Sequence, residues 1–142
     1  MVTARWCLLA LIALGASSCS PSARTEAASL VGAVDRFRDA SDAAKVERAR
    51  AIAAVPCSDA SVCKARRACE DAVVPSARAV EIKNLVAARL ADIRAGRLTP
   101  DSPEASSLPS ALGEAERLLA EGREKMPECE RSLAELRAVL GV

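Results

Sequence analysis

The chain has 142 residues, with 20 basic and 19 acidic side chains, and alanine alone fills 31 positions. It contains no histidine and two aromatic residues, Trp6 and Phe37. These counts exclude imidazole acid–base catalysis, histidine-ligated metal sites and an aromatic platform for stacking nucleobases.

The first eighteen residues have the pattern of an export signal. Arg5 precedes the apolar run Trp6–Leu14, which is too short to span a bilayer because a spanning helix needs about 20 residues. A basic start, a short apolar run and small residues after it are typical of a secretory signal. Residues 16–19, Ala-Ser-Ser-Cys, resemble the lipobox of bacterial lipoproteins, with Ala16 where that family usually has leucine.

The resemblance implies that residues 1–18 are cleaved and that Cys19 becomes the lipid-modified start of a membrane-anchored lipoprotein, facing the periplasm or the exterior. Five cysteines remain after cleavage, so with Cys19 lipidated the other four can form two disulfides. One alternative is ordinary secretion, with cleavage near Ala16 and Cys19 left as a free thiol; the other is a chain that is not cleaved or remains in the cytosol. We expect residues 19–28 to form the lipidated end and a flexible polar tether, and residues 29–142 to form the helical domain.

The remaining chain predicts an all-α fold, because Ala, Arg, Glu and Leu dominate and no β-branched alternation of period two occurs. The first helix is expected over about Ala27–Val55. Leu30, Val34 and Phe37 form its apolar face at helical spacing. A break near Asp39–Asp42 is the alternative, since side chains there can cap a new helix.

The second helix is expected over about Ala60–Ala95 and should stop at Gly96. Pro75 lies inside it and should kink it or divide it into two helices, because proline removes one backbone hydrogen bond. The apolar residues of this helix recur at irregular spacing. Its inner face is therefore less sharply defined than that of the third helix.

The third helix has the most regular pattern in the chain. It begins at Pro103 or at Pro109 and carries an a/d seam whose positions alternate three and four residues apart. The seam consists of Leu108, Leu112, Ala115, Leu119, Gly122, Met126, Cys129, Leu133, Leu136 and Leu140. We expect it to pack inside the bundle, and the alternative is self-association of two chains through it.

Three long helices with short loops pack most simply as an elongated up-down-up bundle stapled by disulfides. The four cysteines of the helical domain then gather at one pole of the bundle. Cys69 lies level with Cys129 if the third helix begins at Pro103. We favour the pairing Cys57–Cys63 with Cys69–Cys129 over Cys57–Cys69 with Cys63–Cys129. The cysteine spacing does not fit a zinc site or a redox pair of the Cys-x-x-Cys type.

The expected function is not enzymatic, since the sequence shows no catalytic, cofactor-binding or metal-binding motif. Charge is balanced at 19 basic and 19 acidic residues once Arg5 is removed, which disfavours a nucleic-acid partner. We expect a lipid-anchored envelope protein that binds or spaces other envelope proteins. The alternative is a carrier with a cavity for a small ligand or lipid between the helices.

The densest basic cluster is Lys64, Arg66 and Arg67, a candidate docking patch. The alternative is an ordinary solvated surface whose charges pair within the helix, since Arg66 and Arg67 each have an acidic residue four positions later. In an up-down-up bundle, the loop over residues 96–107 lies beside the tether and faces the membrane. The cysteine pole and the basic cluster would then project away from the membrane.

Overall fold

A computed structural model describes residues 21–142, so the signal segment, Cys19 and Ser20 lie outside the described residues. All regular secondary structure in residues 21–142 is helical, which confirms the all-α prediction. The elements are α1 (Pro21–Asp39), a 3-10 turn (Asp42–Ala44), α2 (Lys45–Ala53), α3 (Ala60–Arg94), α4 (Pro103–Ser106) and α5 (Leu108–Leu140).

The flexible tether predicted over residues 19–28 is, from Pro21 onward, the first part of α1. Proline suits a helix start because its missing N–H would have no helical partner there. Ala23 and Ala27 are 2% and 0% exposed. They extend the spacing of the predicted apolar face by two turns. The tether prediction was wrong here because alanines, which give a weak apolar signal, pack closely against other helices.

The first predicted helix is two helices in the structure, because the chain breaks between Asp39 and Lys45. Lys45 Nζ donates to the carbonyl oxygens of Phe37 at 2.6 Å and Arg38 at 3.1 Å. Nζ also lies 4.6 Å from the centre of the Phe37 ring. The Phe37 carbonyl also accepts from the backbone N–H of Ala40 at 3.3 Å, so Lys45 adds a second donor at the end of α1. The alternative with a break near Asp39–Asp42 is therefore confirmed.

The direction of α1 is opposite to that of the last part of α5. Near the start of α1, Arg24 Nε donates to the carbonyl oxygen of Leu140 at 2.8 Å. Near its end, the Arg38 guanidinium lies 3.1 Å from a carboxylate oxygen of Glu130. The helix α2 then returns in the opposite direction. Ser58, beyond the end of α2, donates hydrogen bonds to Glu26 in the first part of α1. These two helices form a hairpin in which α1 packs against α3 and α5, and α2 packs against α3.

A second, longer antiparallel hairpin consists of α3 and α5. Cys69 is bonded to Cys129, and Gly122 lies against Ala72 and Ser76, which sets the register of the two helices. Continuing that register gives α3 a seam of its own, with smaller residues facing the larger ones of α5. This seam consists of Val62, Ala65, Cys69, Ala72, Ser76, Ala79, Lys83, Val86, Leu90 and Ile93.

The tip between these helices follows the sequence signals. Gly96 has φ +70°, in the left-handed region that glycine adopts without strain, and α3 ends just before it. The Ser102 side chain accepts a hydrogen bond from Ala105 N at 3.2 Å and caps α4, with Pro103 as the first residue. The third predicted helix thus begins in two steps, a short α4 and then α5. Pro75 lies inside α3 without ending it.

The core is concentrated at the end of the molecule that carries the cysteines. Of the ten buried residues of α3, nine lie at or before Val80, and the other is Val86. In α5, buried residues lie seven apart from Leu108 to Cys129 and become denser toward Leu140. The α3–α5 hairpin beyond Glu81 thus forms a two-helix projection of about 20 Å at the ordinary helical rise. We call the four-helix end the base and residues 82–118 the distal hairpin.

This arrangement differs from the predicted three full-length helices. Because the chain folds back at residues 40–44, Pro21 lies at the base, the end that carries the cysteines. The loop over residues 96–107 forms the tip of the distal hairpin, at the opposite end. The expectation that this loop lies beside the start of the first helix was therefore wrong.

Candidate functional site

Two disulfides with different surroundings lie in the base. Cys57 is bonded to Cys63, with Cα atoms 5.1 Å apart, and Cys69 to Cys129, with Cα atoms 4.5 Å apart. This is the pairing favoured from positions along the helices. Cys69 and Cys129 are both 0% exposed between α3 and α5, whereas Cys57 and Cys63 are only half-buried. The second bond is therefore enclosed between α3 and α5, whereas the two residues of the first bond lie partly at the surface.

Two carboxylates hold the segment between α2 and α3. Asp59 caps α3 by accepting hydrogen bonds from the backbone N–H of Ser61 at 2.8 Å and of Val62 at 3.3 Å, and from the Ser61 hydroxyl. Glu26 of α1 accepts from the backbone N–H of Ser58 at 2.8 Å and from its hydroxyl at 2.7 Å. The hydrogen bonds from Ser61 and Ser58 lower the pKa values of Asp59 and Glu26, respectively.

These hydrogen bonds predict acid sensitivity at the joint between α1 and α3. The pKa of Glu26 lies below its ordinary value of 4.5 in the folded protein, so the unfolded chain binds that proton more readily. The stability due to the carboxylate is present above the unfolded value and is lost as the pH falls through the folded value. We expect Glu26→Gln to lose less stability than the wild type between about pH 6 and about pH 3. Urea denaturation across this range measures it, and equal pH dependence would contradict the assignment.

The basic cluster is partly engaged inside the molecule. Arg66 Nη1 donates to the carbonyl oxygen of Val55 at 2.7 Å, and Arg66 Nε lies 3.1 Å from a carboxylate oxygen of Glu70. The predicted pair of Arg66 with Glu70 is therefore present. Lys64 Nζ lies 3.6 Å from a carboxylate oxygen of Glu135, across the α3–α5 interface. Arg66 acts as a structural link between α2 and α3 rather than as a free docking residue.

Arg67 differs from its two neighbours. It is exposed, and within residues 21–142 it forms no ion pair, including the one predicted with Asp71. Together with Ala60, Cys63 and Lys64, it lines a shallow depression in the surface of the base. The cluster thus lies at the end where the described chain begins, whereas the sequence placed it at the projecting end.

An apolar groove runs between α2 and α3. Val46 and Ala49 of α2 and Val74 and Ala77 of α3 form its apolar lining, and the volume is about 180 Å³. Val74 is 52% exposed within it. Three charged side chains border the groove, namely Arg50, Arg78 and Glu81. The groove is open to solvent, so a bound molecule would lie on the surface of the base.

The distal hairpin exposes large apolar side chains. Leu85 is 55% exposed, Leu90 39% and Leu112 41%. Leu112 belongs to the predicted seam, in which Leu119 and Met126 are half-buried and the other seven positions are buried. The prediction that the α5 seam packs inside the molecule is therefore confirmed except at Leu112. There only α3 and α5 are present, and two helices cannot cover a leucine from both sides.

Charged side chains along α5 pair largely with one another. Glu121 pairs with Arg117 and with Lys125, at N–O distances of 3.2 and 2.8 Å. Arg131 pairs with Glu128 at 2.6 Å instead of with Glu135. Glu135 turns to Lys64 of α3.

Within residues 21–142, no group of three or more metal-ligating side chains lies together. The helices of this part of the chain contain no apolar stretch long enough to cross a membrane. Comparison with known protein families, curated proteins and solved structures finds no match for this chain.

Proposed function

We propose that this chain is a lipid-anchored, non-enzymatic protein of the bacterial envelope that binds or spaces another envelope protein. The observation that carries the proposal is the exposure of Leu90 and Leu112 on the distal hairpin. Apolar side chains exposed on a slender helical pair are typical of surfaces that a further helix covers on binding. The partner in this proposal is a helical segment that packs along the hairpin.

The position of the N-terminus supports the anchoring part of the proposal. Cys19 precedes Pro21 by two residues, and Pro21 begins α1 in the base. A lipid on Cys19 would hold the base close to the bilayer, because only Ser20 lies between the lipid and the helix. The distal hairpin would then extend away from the membrane toward a partner. The resemblance of residues 16–19 to a lipobox supports the lipid itself.

Replacing Cys19 tests the anchor. We expect the Cys19→Ala variant to appear in the soluble exported fraction, while the wild type remains with the membrane, since acyl chains supply the membrane affinity. Cys7→Ala is the matched control, because Cys7 lies in the apolar run of the signal and should not affect anchoring. A Cys19→Ala chain that is cleaved and still bound to the membrane would contradict the lipoprotein assignment.

The second candidate function is a carrier for a lipid or another small apolar molecule, and the α2–α3 groove favours it. Two sets of substitutions separate the candidates. Leu90→Glu with Leu112→Glu should abolish photo-crosslinking of a partner protein from the distal hairpin, whereas Val74→Glu should leave it intact. Loss of a co-purifying lipid in the Val74→Glu variant alone, detected by mass spectrometry, would support the carrier instead.

A further inference from the structure

We infer that the Cys57–Cys63 disulfide is an exchange site for small anionic thiols, whereas Cys69–Cys129 is a permanent structural bond. Exchange requires a thiolate to reach one sulfur of the bond. Cys57 and Cys63 are half-buried at the surface of the base, and Cys69 and Cys129 are 0% exposed. A thiol in solution can therefore attack the first bond while the protein remains folded.

Charges around Cys63 favour an anionic attacking group. Cys63 lines the surface depression together with Lys64 and Arg67, and Arg67 is free of ion pairs within the described chain. Lys64 has a side chain that is 64% exposed and lies 3.6 Å from its acidic partner. Cys63 also lies in the first turn of α3, which begins at Ala60, so the positive end of the helix adds to this field.

The nearby carboxylates oppose this field only weakly. Asp59 accepts backbone hydrogen bonds at the start of α3, and Glu26 accepts both hydrogen bonds from Ser58. Glu135 lies on the far side of Lys64, toward α5. Lys64 and Arg67 are the charged residues that line the depression together with Cys63, and cations so placed stabilise a thiolate.

The exchange step balances within the two partners. The sulfur of the incoming thiolate attacks Cys63 Sγ, and a new sulfur–sulfur bond forms as the Cys57–Cys63 bond breaks. Cys57 leaves as a thiolate, so its sulfur is reduced while the incoming sulfur is oxidised to the mixed disulfide. Attack of the Cys57 thiolate on Cys63 Sγ reverses the step and releases the small thiol.

The base does not depend on this bond for its shape. The bond spans a sequence separation of 6 residues, against 60 for Cys69–Cys129. When it opens, the segment is still held by Glu26 on Ser58 and by Arg66 on Val55. The buried disulfide continues to join α3 to α5. Exchange at Cys63 is therefore compatible with a folded, reversible state.

A pair of small thiols of opposite charge tests the inference on the oxidised, folded protein. We expect 3-mercaptopropionate to exceed cysteamine in the rate of mixed-disulfide formation at Cys63 by about fivefold more than it does with an uncharged small disulfide, all at equal thiolate concentration. The small disulfide is the reference because a thiol of higher pKa is intrinsically the better nucleophile. Peptide mass spectrometry after alkylation locates the adduct and should show Cys69–Cys129 intact. The double variant Lys64→Gln, Arg67→Gln should lose the preference for the anionic thiol. Arg123→Gln, in the middle of α5, should retain it.

Several results would overturn the exchange site. Opening of both disulfides together, an adduct on Cys57, or the same ratio of rates as with the uncharged disulfide would each contradict it. Retention of the charge preference in the Lys64→Gln, Arg67→Gln variant would show that the two cations do not guide the thiol. None of these results depends on the lipid anchor or on a partner protein. The exchange site is therefore tested independently of the proposed function.

Discussion

Replacing Gly122 by alanine should lower the stability of the protein, although alanine normally favours a helix over glycine by about 1 kcal/mol. A Cβ at this position would lie 2.2 Å from Ser76 Oγ and 2.7 Å from the carbonyl oxygen of Ala72. The backbone of α3 would have to move, and overpacking of this kind costs about 1–3 kcal/mol, occasionally more. We expect a net loss of about 1–2 kcal/mol in urea denaturation.

A second glycine in the same helix provides the control. Gly113 has nothing within 4 Å of a Cβ built on it, so Gly113→Ala should leave stability unchanged or raise it by up to about 1 kcal/mol. Adding Gly122→Ala to Ser76→Ala should still destabilise, because the Ala72 carbonyl remains. If Gly122→Ala were as stable as Gly113→Ala, the close approach of α3 and α5 would be wrong.

Removing the buried disulfide should lower the stability of the protein more than removing the Cys57–Cys63 disulfide. Cys69–Cys129 spans a separation of 60 residues and Cys57–Cys63 one of 6. Chain-entropy estimates give about 4 kcal/mol for the longer loop and about 2 kcal/mol for the shorter. The Cys69→Ala, Cys129→Ala variant should therefore be less stable than the Cys57→Ala, Cys63→Ala variant by about 2 kcal/mol or more.

Chemical denaturation of the two double variants, both under oxidising conditions, measures this difference. Helical content at low denaturant should remain that of the wild type in each. Each variant keeps the other native disulfide, which makes it the matched control for its counterpart. Equal midpoints, or a larger loss from removing Cys57–Cys63, would contradict the structural role given to the buried bond.

The sequence predicted the α5 side of the long hairpin and indicated only an irregular inner face for α3. Leucines at a/d spacing make the seam of α5 visible. The facing seam of α3 includes Ala65, Ala72, Ser76 and Lys83, whose small or charged side chains do not register as an apolar pattern. Small residues are suited to this position because they let the helices approach closely. Their role depends on the partner helix, so it cannot be read from α3 by itself.

The fold-back of α1 and α2 was only an alternative from the sequence. Neither proline nor glycine marks it. It is stabilised by Lys45, which reaches back to the carbonyls of Phe37 and Arg38. A lysine at that position is also compatible with an uninterrupted helix, so tertiary packing decides between the two forms. This one break moves the start of α1 from the tip of the molecule to its base.

The candidate sites depended on the fold to different degrees. Cysteine pairing followed from counting residues along two helices of fixed rise, which does not require knowledge of the first helix. The location of Lys64 and Arg67 relative to the N-terminus did require it, and that expectation was reversed. The difference in solvent access between the two disulfides arises from packing in the base. Spacing in the sequence carries no signal of it.

Depth-dependent fluorescence quenching most directly tests the account of a membrane-held base and a projecting hairpin. Val139, 69% exposed at the base, and Asp101, exposed at the tip, are separated by about 50 Å along the hairpin. Each can be replaced by cysteine and labelled in the lipidated protein, in vesicles that carry lipid-attached quenchers. The account predicts stronger quenching at position 139 than at position 101, and the reverse order would contradict it.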